Sequence, residues 1–541
     1  MQDGGKYWCL LETHSAQGSR WVFLVFPACC GRRHLVSKET LMKRFTSLAA
    51  VLVLSAGCSP DQPSPVGLRV SSPSFAISAG DDSDPSAGNY LVRFKGNGIP
   101  TDFALRVKAA GGQVIFAHAG VGIAAVSGLD AAGADALAAS SSIAAVDADA
   151  YTTIDEPAVL VSDIPDEAIT SQANPAIALG FARQWNLRAV SAPAAWAAGN
   201  LGSPTVRVGI IDTGIDYLAP DLFNKVDLAL SKSFLGRADS LQVQANFPGA
   251  EYIADLHYHG TNVAAIVSSN AFFRAGVTSR VTLVALKVCT PGTVQDRFRG
   301  SCPTSAVLGA VLYAADKGLD VVNMSLGGSF NKRDFSARGG FGPSFVATIN
   351  SVFNYAHRQG LTVVVAAGNG DANNIGIDLD HNGNAYNAYC NSPHVICVSA
   401  TSPTGGTLAA PLNIDELTSY SNYGRSAITV AAPGGDHGFF VEEACSGFTI
   451  VTIPNLIPCR GRFFNPVTGQ AAQASLGVAG TSQATPHVTG LAALIAGQVG
   501  RNPSQIANRI SKSADVPPGF GGNSQPYGAG RINVARAMGV Q

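Results

Sequence analysis

The chain has 541 residues, a length that predicts about three or four domains. Hydrophobic residues make up 46% of it, which predicts a large buried core, and charged residues make up only 13%. The formal net charge is −1 and the sequence contains no basic cluster, which argues against a nucleic-acid partner.

The N-terminal region has the pattern of an export signal. Residues 42–58 begin with two basic residues, continue with an apolar segment too short for a stable membrane anchor, and end in small residues before Cys58. That ending resembles a bacterial lipoprotein signal, in which the cysteine carries the lipid, and a plain cleaved signal is the alternative. Because a signal works poorly from inside a chain, we interpret residues 1–41 as a mis-assigned extension. We expect an extracytoplasmic bacterial protein, secreted or anchored at Cys58.

Two polar segments separate a small domain from its neighbours. A Pro/Ser/Asp-rich run over 59–88 predicts a flexible linker. Residues 88–150 start with the strand pattern "NYLVRFKG" and continue as helix, strand, strand, helix and strand, which predicts a small α+β domain. A second polar linker covers 151–178.

The rest of the chain, 179–541, alternates buried strands with helices. "VRVGIID", "VTLVALKV", "LDVVNMSL", "LTVVVAAGN" and "VICVSAT" are nearly continuous apolar runs, typical of strands covered on both faces in a parallel sheet. "AVLGAVLYAADKG" and "FVATINSVFNYAHRQG" read as crossover helices that end at a glycine. The predicted fold class is α/β, a parallel sheet with helices on both faces.

Six of the ten cysteines fall in close pairs. Short separations favour disulfides in an oxidising compartment, although the sequence does not determine the connectivity and buried free thiols are the alternative. The neighbouring pairs are Cys289 with Cys302, Cys390 with Cys397, and Cys445 with Cys459.

Three separate residues are candidates for chemistry. Asp212 follows the strand "VGIID", His259 precedes a glycine at a predicted helix start, and Ser482 lies in "AGTSQATPHVTG", also at a predicted helix start. Each has an ordinary structural alternative: a turn aspartate, a buried structural histidine and a helix-capping serine. At a helix N-terminus, however, a serine lies where negative charge is favoured.

Together the three motifs resemble those of the subtilisin-like serine proteases, in the family's order Asp, His, Ser. The resemblance covers about residues 180–541 and extends to "NMSLGG", "VVAAGNG" and "YGAGRINVARA". It implies that Ser482 is the nucleophile, His259 the general base and Asp212 the residue that orients the histidine. It also implies that Asn369, in "AAGNG", donates to the oxyanion.

The resemblance extends to substrate binding and to the small domain. Ser325, Leu326 and Gly327 match the segment that pairs with an extended substrate, and Ala366–Gly368 would line a roomy pocket that favours apolar side chains. The domain at 88–150 resembles the family's inhibitory propeptide, which predicts a processing site within the linker 151–178.

Two departures from the family pattern concern the nucleophile and calcium. Gln483 stands where the family usually has methionine, so a buried amide needs hydrogen-bond partners there. The segment after the helix of His259 is short, so the long calcium loop of some relatives is not expected.

A separate calcium site is an open alternative in "DLDHNGN". There Asp378, Asp380 and Asn382 have the spacing of the first half of an EF-hand loop, but Tyr389 stands where the closing acid belongs. A plain surface loop is the other interpretation. No cofactor is expected to be required.

The sequence therefore predicts a monomeric secreted serine endopeptidase, made as a zymogen, that acts on proteins or peptides and is inhibited by its own propeptide. One alternative is a catalytically inactive surface binding protein with the same fold. Another is an esterase, but the Gly–x–Ser–x–Gly motif of that class is absent.

Overall fold

A computed structural model describes residues 11–13, 20–22 and 88–540, the last range with breaks at 97, 155–157, 164–171, 247–248, 292–299, 334–341, 372, 408–409, 437–449 and 452–473. The chain divides into two units, Met1–Pro63 and Ser64–Gln541. In the first unit the structure describes only an antiparallel pair of strands, β1 (Leu11–Thr13) and β2 (Arg20–Val22). The predicted signal 42–58 and the pair Cys445/Cys459 lie outside the described residues.

The predicted α+β domain has the predicted order of elements. Its antiparallel sheet has the strand order β4-β5-β3-β6. The strands are β3 (Tyr90–Phe94), β4 (Gln113–His118), β5 (Ile123–Ser127) and β6 (Ile143–Ala148), and the helices are α1 (Phe103–Ala109) and α2 (Ala131–Ala138).

Side-chain alternation gives this sheet two buried faces. On β3, Val92 and Phe94 belong to a core shared with Phe103 and Val107 of α1. Leu91, on the opposite face, belongs to a core shared with the larger α/β domain. Because successive strand residues point to opposite faces, one face covers the domain's own helices and the other packs on its neighbour.

The α/β domain is built on the predicted parallel sheet, which has eight strands. Its order is β10-β11-β9-β14-β16-β18-β21, with β22 also paired to β18, and every pair is parallel except β18 with β21. The strands are β9 (Arg207–Asp212), β10 (Lys232–Ser233), β11 (Thr282–Lys287), β14 (Val321–Met324), β16 (Thr362–Ala366), β18 (Val395–Ser402), β21 (Glu416–Leu417) and β22 (Val430–Pro433).

Helices surround this sheet, and the two predicted crossover helices are confirmed. They are α7 (Thr304–Asp316) and α8 (Pro343–Arg358), which end just before Gly318 and Gly360. The other helices are α3 (Trp185–Ala189), α4 (Ala192–Ala197), α5 (Arg237–Asn246), α6 (His259–Val267), α9 (Thr481–Val499), α10 (Pro503–Lys512) and α11 (Val534–Ala537), with 3₁₀ turns at Pro175–Ile177 and Phe181–Arg183.

The remaining strands form short sheets beside the main one. They are β7 (Tyr151–Ile154), β13 (Gly300–Pro303) and β12 (Thr290–Pro291); β8 (Ala158–Asp163), β24 (Ala474–Ala479) and β23 (Ile450–Val451); β15 (Gly328–Asn331) with β17 (Ala385–Ala388); and β19 (Gly405–Gly406) with β20 (Pro411–Leu412).

Two of the neighbouring cysteine pairs form disulfides. Cys289 is bonded to Cys302, and Cys390 to Cys397. Their presence fits the predicted oxidising compartment. No helix in the described part of the chain combines the length and apolar character needed to cross a membrane.

Candidate active site

Asp212 ends the buried strand β9 at the carboxyl edge of the sheet, where sites of α/β folds gather. Its side chain is fully buried, and Oδ1 accepts a hydrogen bond of 2.7 Å from the N–H of Thr213. The turn interpretation is therefore correct as local structure, but the carboxylate has a second contact outside the turn.

That second contact is with His259, the first residue of α6. The imidazole Nδ1 lies 2.7 Å from Asp212 Oδ1, and both side chains are fully buried. A Cβ on Gly260 would come within 2.0 Å of the carbonyl oxygen of Gly214, so only glycine lets α6 begin this close to the turn after β9. The sequence "HG" thus permits the pairing of the imidazole with the carboxylate.

Ser482 is the second residue of α9 and is 2% exposed. The helix N-cap is Gly480, without a side-chain cap bond, so the capping interpretation of Ser482 is wrong. Its hydroxyl donates to the carbonyl oxygen of Ser325 at 3.2 Å, and the Ser325 hydroxyl donates back to the Ser482 carbonyl at 2.7 Å. The serine thus lies directly beside the predicted substrate segment.

Asn369 is oriented by the residue before the candidate nucleophile. Its Oδ1 accepts from the N–H of Thr481 at 2.9 Å and from the Thr481 hydroxyl at 2.8 Å, and that hydroxyl also accepts from the N–H of Gly368. With the amide oxygen engaged in this way, the NH₂ group is the end that can donate to a developing negative charge.

The predicted substrate segment is buried at the same edge. Ser325 and Leu326 are fully buried. A Cβ on Gly327 would lie 2.6 Å from the carbonyl oxygen of Ala388, so this residue is closely packed against the end of β17. Ala366, the last residue of β16, and the next two residues, all predicted as pocket lining, lie at the neighbouring strand end.

Asp255 is a functional candidate that the sequence analysis missed. Its fully buried carboxylate accepts from the Thr213 hydroxyl at 2.9 Å and from the Thr261 hydroxyl and N–H at 2.6 and 3.0 Å. Thr213 adjoins Asp212, and Thr261 lies in the first turn of α6 with His259. Asp255 therefore joins the two segments that carry the acid and the imidazole. Its position four residues before His259 was the only signal.

Gln483 has found a hydrogen-bond partner, as its burial required. Its side-chain Nε2 donates to Oδ1 of Asn262 at 3.0 Å, and its backbone carbonyl oxygen accepts from His487 Nδ1 at 2.7 Å. Burial lowers the pKa of His487 to about 4, so this imidazole is neutral near pH 7 and accepts from Asn186 through Nε2.

The short segment after α6 folds onto Asp221, a second buried acid that the sequence analysis did not select. Asp221 accepts from the Ser269 hydroxyl at 2.7 Å and from the N–H of Phe272 at 2.7 Å. Burial raises the pKa of Asp221 to about 6. Hydrogen-bond donors of the protein thus pair with the oxygen atoms of this carboxylate.

The carboxylates of the candidate calcium loop also contact protein donors. Asp378 Oδ2 lies 2.9 Å from His381 Nδ1 and accepts from Gln525 at 2.8 Å, while Asp380 accepts from the N–H and hydroxyl of Ser426. Asn382 follows in the same loop. The described residues contain no group of three or more His, Cys, Asp and Glu suited to a metal. Calcium here stays a prediction, and no catalytic step is derived from it.

Comparison with known proteins identifies the family. The sequence profile of the subtilase family, peptidase S8, matches residues 203–530. Thermitase of Thermoactinomyces vulgaris is 30% identical over 356 residues, 66% of this chain and 96% of the relative. The thermophilic serine proteinase of Bacillus sp. (strain AK1) is 30% identical over 341 residues, 62% of each protein.

Solved structures agree on the fold. The epidermin leader peptide processing serine protease of Staphylococcus aureus superposes with a TM-score of 0.60 at 22% identity, covering 84% of this chain and 98% of the other. Fervidolysin of Fervidobacterium pennivorans gives 0.56 at 18% identity, covering 87% and 64%. Since the family profile matches more than half of the chain, the protein belongs to the subtilase family of serine endopeptidases.

Proposed function

We propose that this subtilase is secreted as a zymogen and cleaves proteins through an acyl-enzyme on Ser482. His259 takes the proton of the Ser482 hydroxyl and later returns it to the leaving amine. Asp212 holds the imidazole in the required tautomer and stabilises its cation. The observation that carries the proposal is the fully buried 2.7 Å contact between His259 Nδ1 and Asp212 Oδ1.

Two donors serve the oxyanion that forms when the hydroxyl attacks a peptide carbonyl. One is the backbone N–H of Ser482 in the first turn of α9, where the helix dipole favours negative charge. The other is the Asn369 amide, whose oxygen is held by Thr481. Because their positions are set before the reaction, they stabilise the charge with little reorganisation.

The substrate is an extended peptide that pairs with Ser325–Gly327. Pairing through the backbone gives broad recognition of sequence, and side-chain pockets give the preference. The small residues Ala366 and Ala367 are each 3% exposed and carry no charge, which supports a preference for apolar side chains.

The α+β domain acts as an inhibitory propeptide. Its Asp149 accepts from the N–H and hydroxyl of Ser305 in the first turn of α7, and its Asp147 accepts from the Ser344 hydroxyl in the first turn of α8. Carboxylates at helix N-termini are stabilised by the helix dipole and by the unpaired N–H groups there. These contacts support docking of the domain on the protease.

Two strands of the linker after this domain pair with segments near the candidate site. β7 pairs antiparallel with β13, whose Cys302 is disulfide-bonded to Cys289 beside Asp212. β8 pairs antiparallel with β24, which leads into Gly480 and Ser482. A linker paired with one segment beside Asp212 and another leading to Ser482 supports inhibition before cleavage, with the processing site within 151–178.

Labelling with a fluorophosphonate probe tests the catalytic proposal. We expect labelling and casein cleavage by the wild-type protein and neither by Ser482→Ala. A wild-type protein that is folded but unlabelled would instead indicate the inactive binding protein. Turnover of short esters without cleavage of casein would indicate an esterase.

Mass spectrometry of the exported product tests the processing proposals. A mature N-terminus within 151–178 is expected, with the propeptide released. An acyl chain on Cys58 of the precursor would identify the lipid anchor, and its absence would leave a plain cleaved signal. Size-exclusion chromatography of the product tests the proposed monomer.

A further inference from the structure

The buried amides of Gln483 and Asn262 connect the two helices that carry the proposed nucleophile and base. Gln483 is fully buried and directly follows Ser482, and Asn262 is 2% exposed and lies three residues after His259. The donor Nε2 and acceptor Oδ1 are 3.0 Å apart. This bond therefore joins α9 to α6 within one residue of the serine and one turn of the histidine.

Helix geometry places this bond on the face of α6 that carries His259. Residues three apart on a helix share a face, so Asn262 projects from the same face of α6 as His259. α6 and α9 pack directly against each other. A change in the separation of their first turns therefore changes the distance between the serine hydroxyl and the imidazole.

Gln483 is also held through its backbone. Its carbonyl oxygen accepts from Nδ1 of His487, and Nε2 of that imidazole accepts from the Asn186 amide at 2.8 Å. The residue is thus bound through both its side chain and its backbone. A methionine at this position would supply the same volume without a directional bond.

We infer that Gln483 and Asn262 form a positioning pair that sets the separation of Ser482 and His259. The inference rests on the proposed function. Neither amide reacts, and neither belongs to the substrate segment Ser325–Gly327. Loss of the bond should therefore lower kcat and leave KM nearly unchanged, since small displacements of reacting groups are costly in rate.

A double-mutant cycle on the processed enzyme tests the pair. The variants are Gln483→Met, Asn262→Leu and the combination, each of which replaces an amide by an apolar side chain of similar shape. We expect each single variant to lower kcat about tenfold, because one buried amide is left without its partner. The combined variant should lose no more than either single variant, and KM should stay within about twofold throughout.

A matched control separates positioning from general stability. Gln184 is also a buried glutamine, whose side chain makes two hydrogen bonds to Ala275, but it lies outside the site. Gln184→Met should lower the melting temperature and leave kcat unchanged. A second readout is the pH profile of kcat/KM, in which we expect the limb assigned to the His259 base to move in the single variants of the pair and not in Gln184→Met.

Additive losses in the combined variant, or equal kcat in all four proteins of the cycle, would overturn the pair as a positioning device. A loss of kcat in Gln184→Met equal to that in Gln483→Met would do the same. Failure of the proposed function is distinguishable, because the wild-type enzyme would then show no turnover that depends on Ser482.

Discussion

His487 provides a test of stability against pH. It is fully buried in α9, the helix that carries the candidate nucleophile, and burial lowers its pKa to about 4 from the ordinary value of 6.5. Above about pH 6.5 the imidazole is neutral in both the folded and the unfolded chain, so it adds no pH dependence. Between about pH 6.5 and about pH 4 the unfolded chain binds a proton that the folded chain does not, so the free energy of unfolding falls as the pH falls.

The size of this effect follows from the two pKa values. A difference of about 2.5 pH units corresponds to about 3 kcal/mol in total, of which about 2.5 kcal/mol is lost between about pH 7 and about pH 4.5. Urea unfolding at these two pH values measures it, in a Ser482→Ala background that prevents self-digestion.

The control is His487→Gln, which removes the titrating group and keeps a side chain able to hydrogen-bond. Its free energy of unfolding should fall by about 2.5 kcal/mol less than that of the parent over the same pH range. Other ionisable groups contribute equally to both proteins, so the difference between them isolates His487. Identical pH dependence in the two proteins would refute the reasoning.

Four further outcomes are expected. Asn369→Leu should lower kcat by about 10²–10³ with little change in KM, and an unchanged kcat would exclude it from the oxyanion site. Asp255→Asn should lower kcat about tenfold and the free energy of unfolding by about 1–3 kcal/mol, because an amide cannot accept all the donors that converge there. Replacing both Cys289 and Cys302 by serine should lower the free energy of unfolding by about 3 kcal/mol in a urea titration under oxidising conditions. A chelator should lower the melting temperature only if the loop at 378–382 binds calcium, so an unchanged value removes that hypothesis.

Much of the architecture could be predicted because its signals are local. Apolar runs such as "VTLVALKV" predict strands covered on both faces, and the structure confirms β11 at Thr282–Lys287. The order of strands and helices at 88–150 was equally readable from alternation and is confirmed. Cysteine spacing does not determine connectivity, so the sequence leaves both disulfides and free thiols possible. The structure contains two of the disulfides between neighbouring cysteines.

The helix-capping alternative for Ser482 shows where local reasoning fails. Serine is a common N-cap, but the residue that caps α9 is Gly480, which places Ser482 inside the first turn. A shift of two residues changes the role of the side chain. Helix boundaries are set partly by packing, so short windows of sequence locate them poorly.

The sequence by itself determined the class of the molecule, through its alternating α/β pattern and its candidate acid, base and nucleophile. Only the tertiary structure decided which side chains meet. Gln483 and Asn262 are 221 residues apart in the chain, and Asp212 and His259 are 47 apart. A hydrogen bond requires its donor and acceptor to lie about 3 Å apart. The packing of strands and helices determines which groups come that close. Asp255 was missed for the same reason, because nothing near it in the sequence reveals that Thr213 and Thr261 converge on its carboxylate.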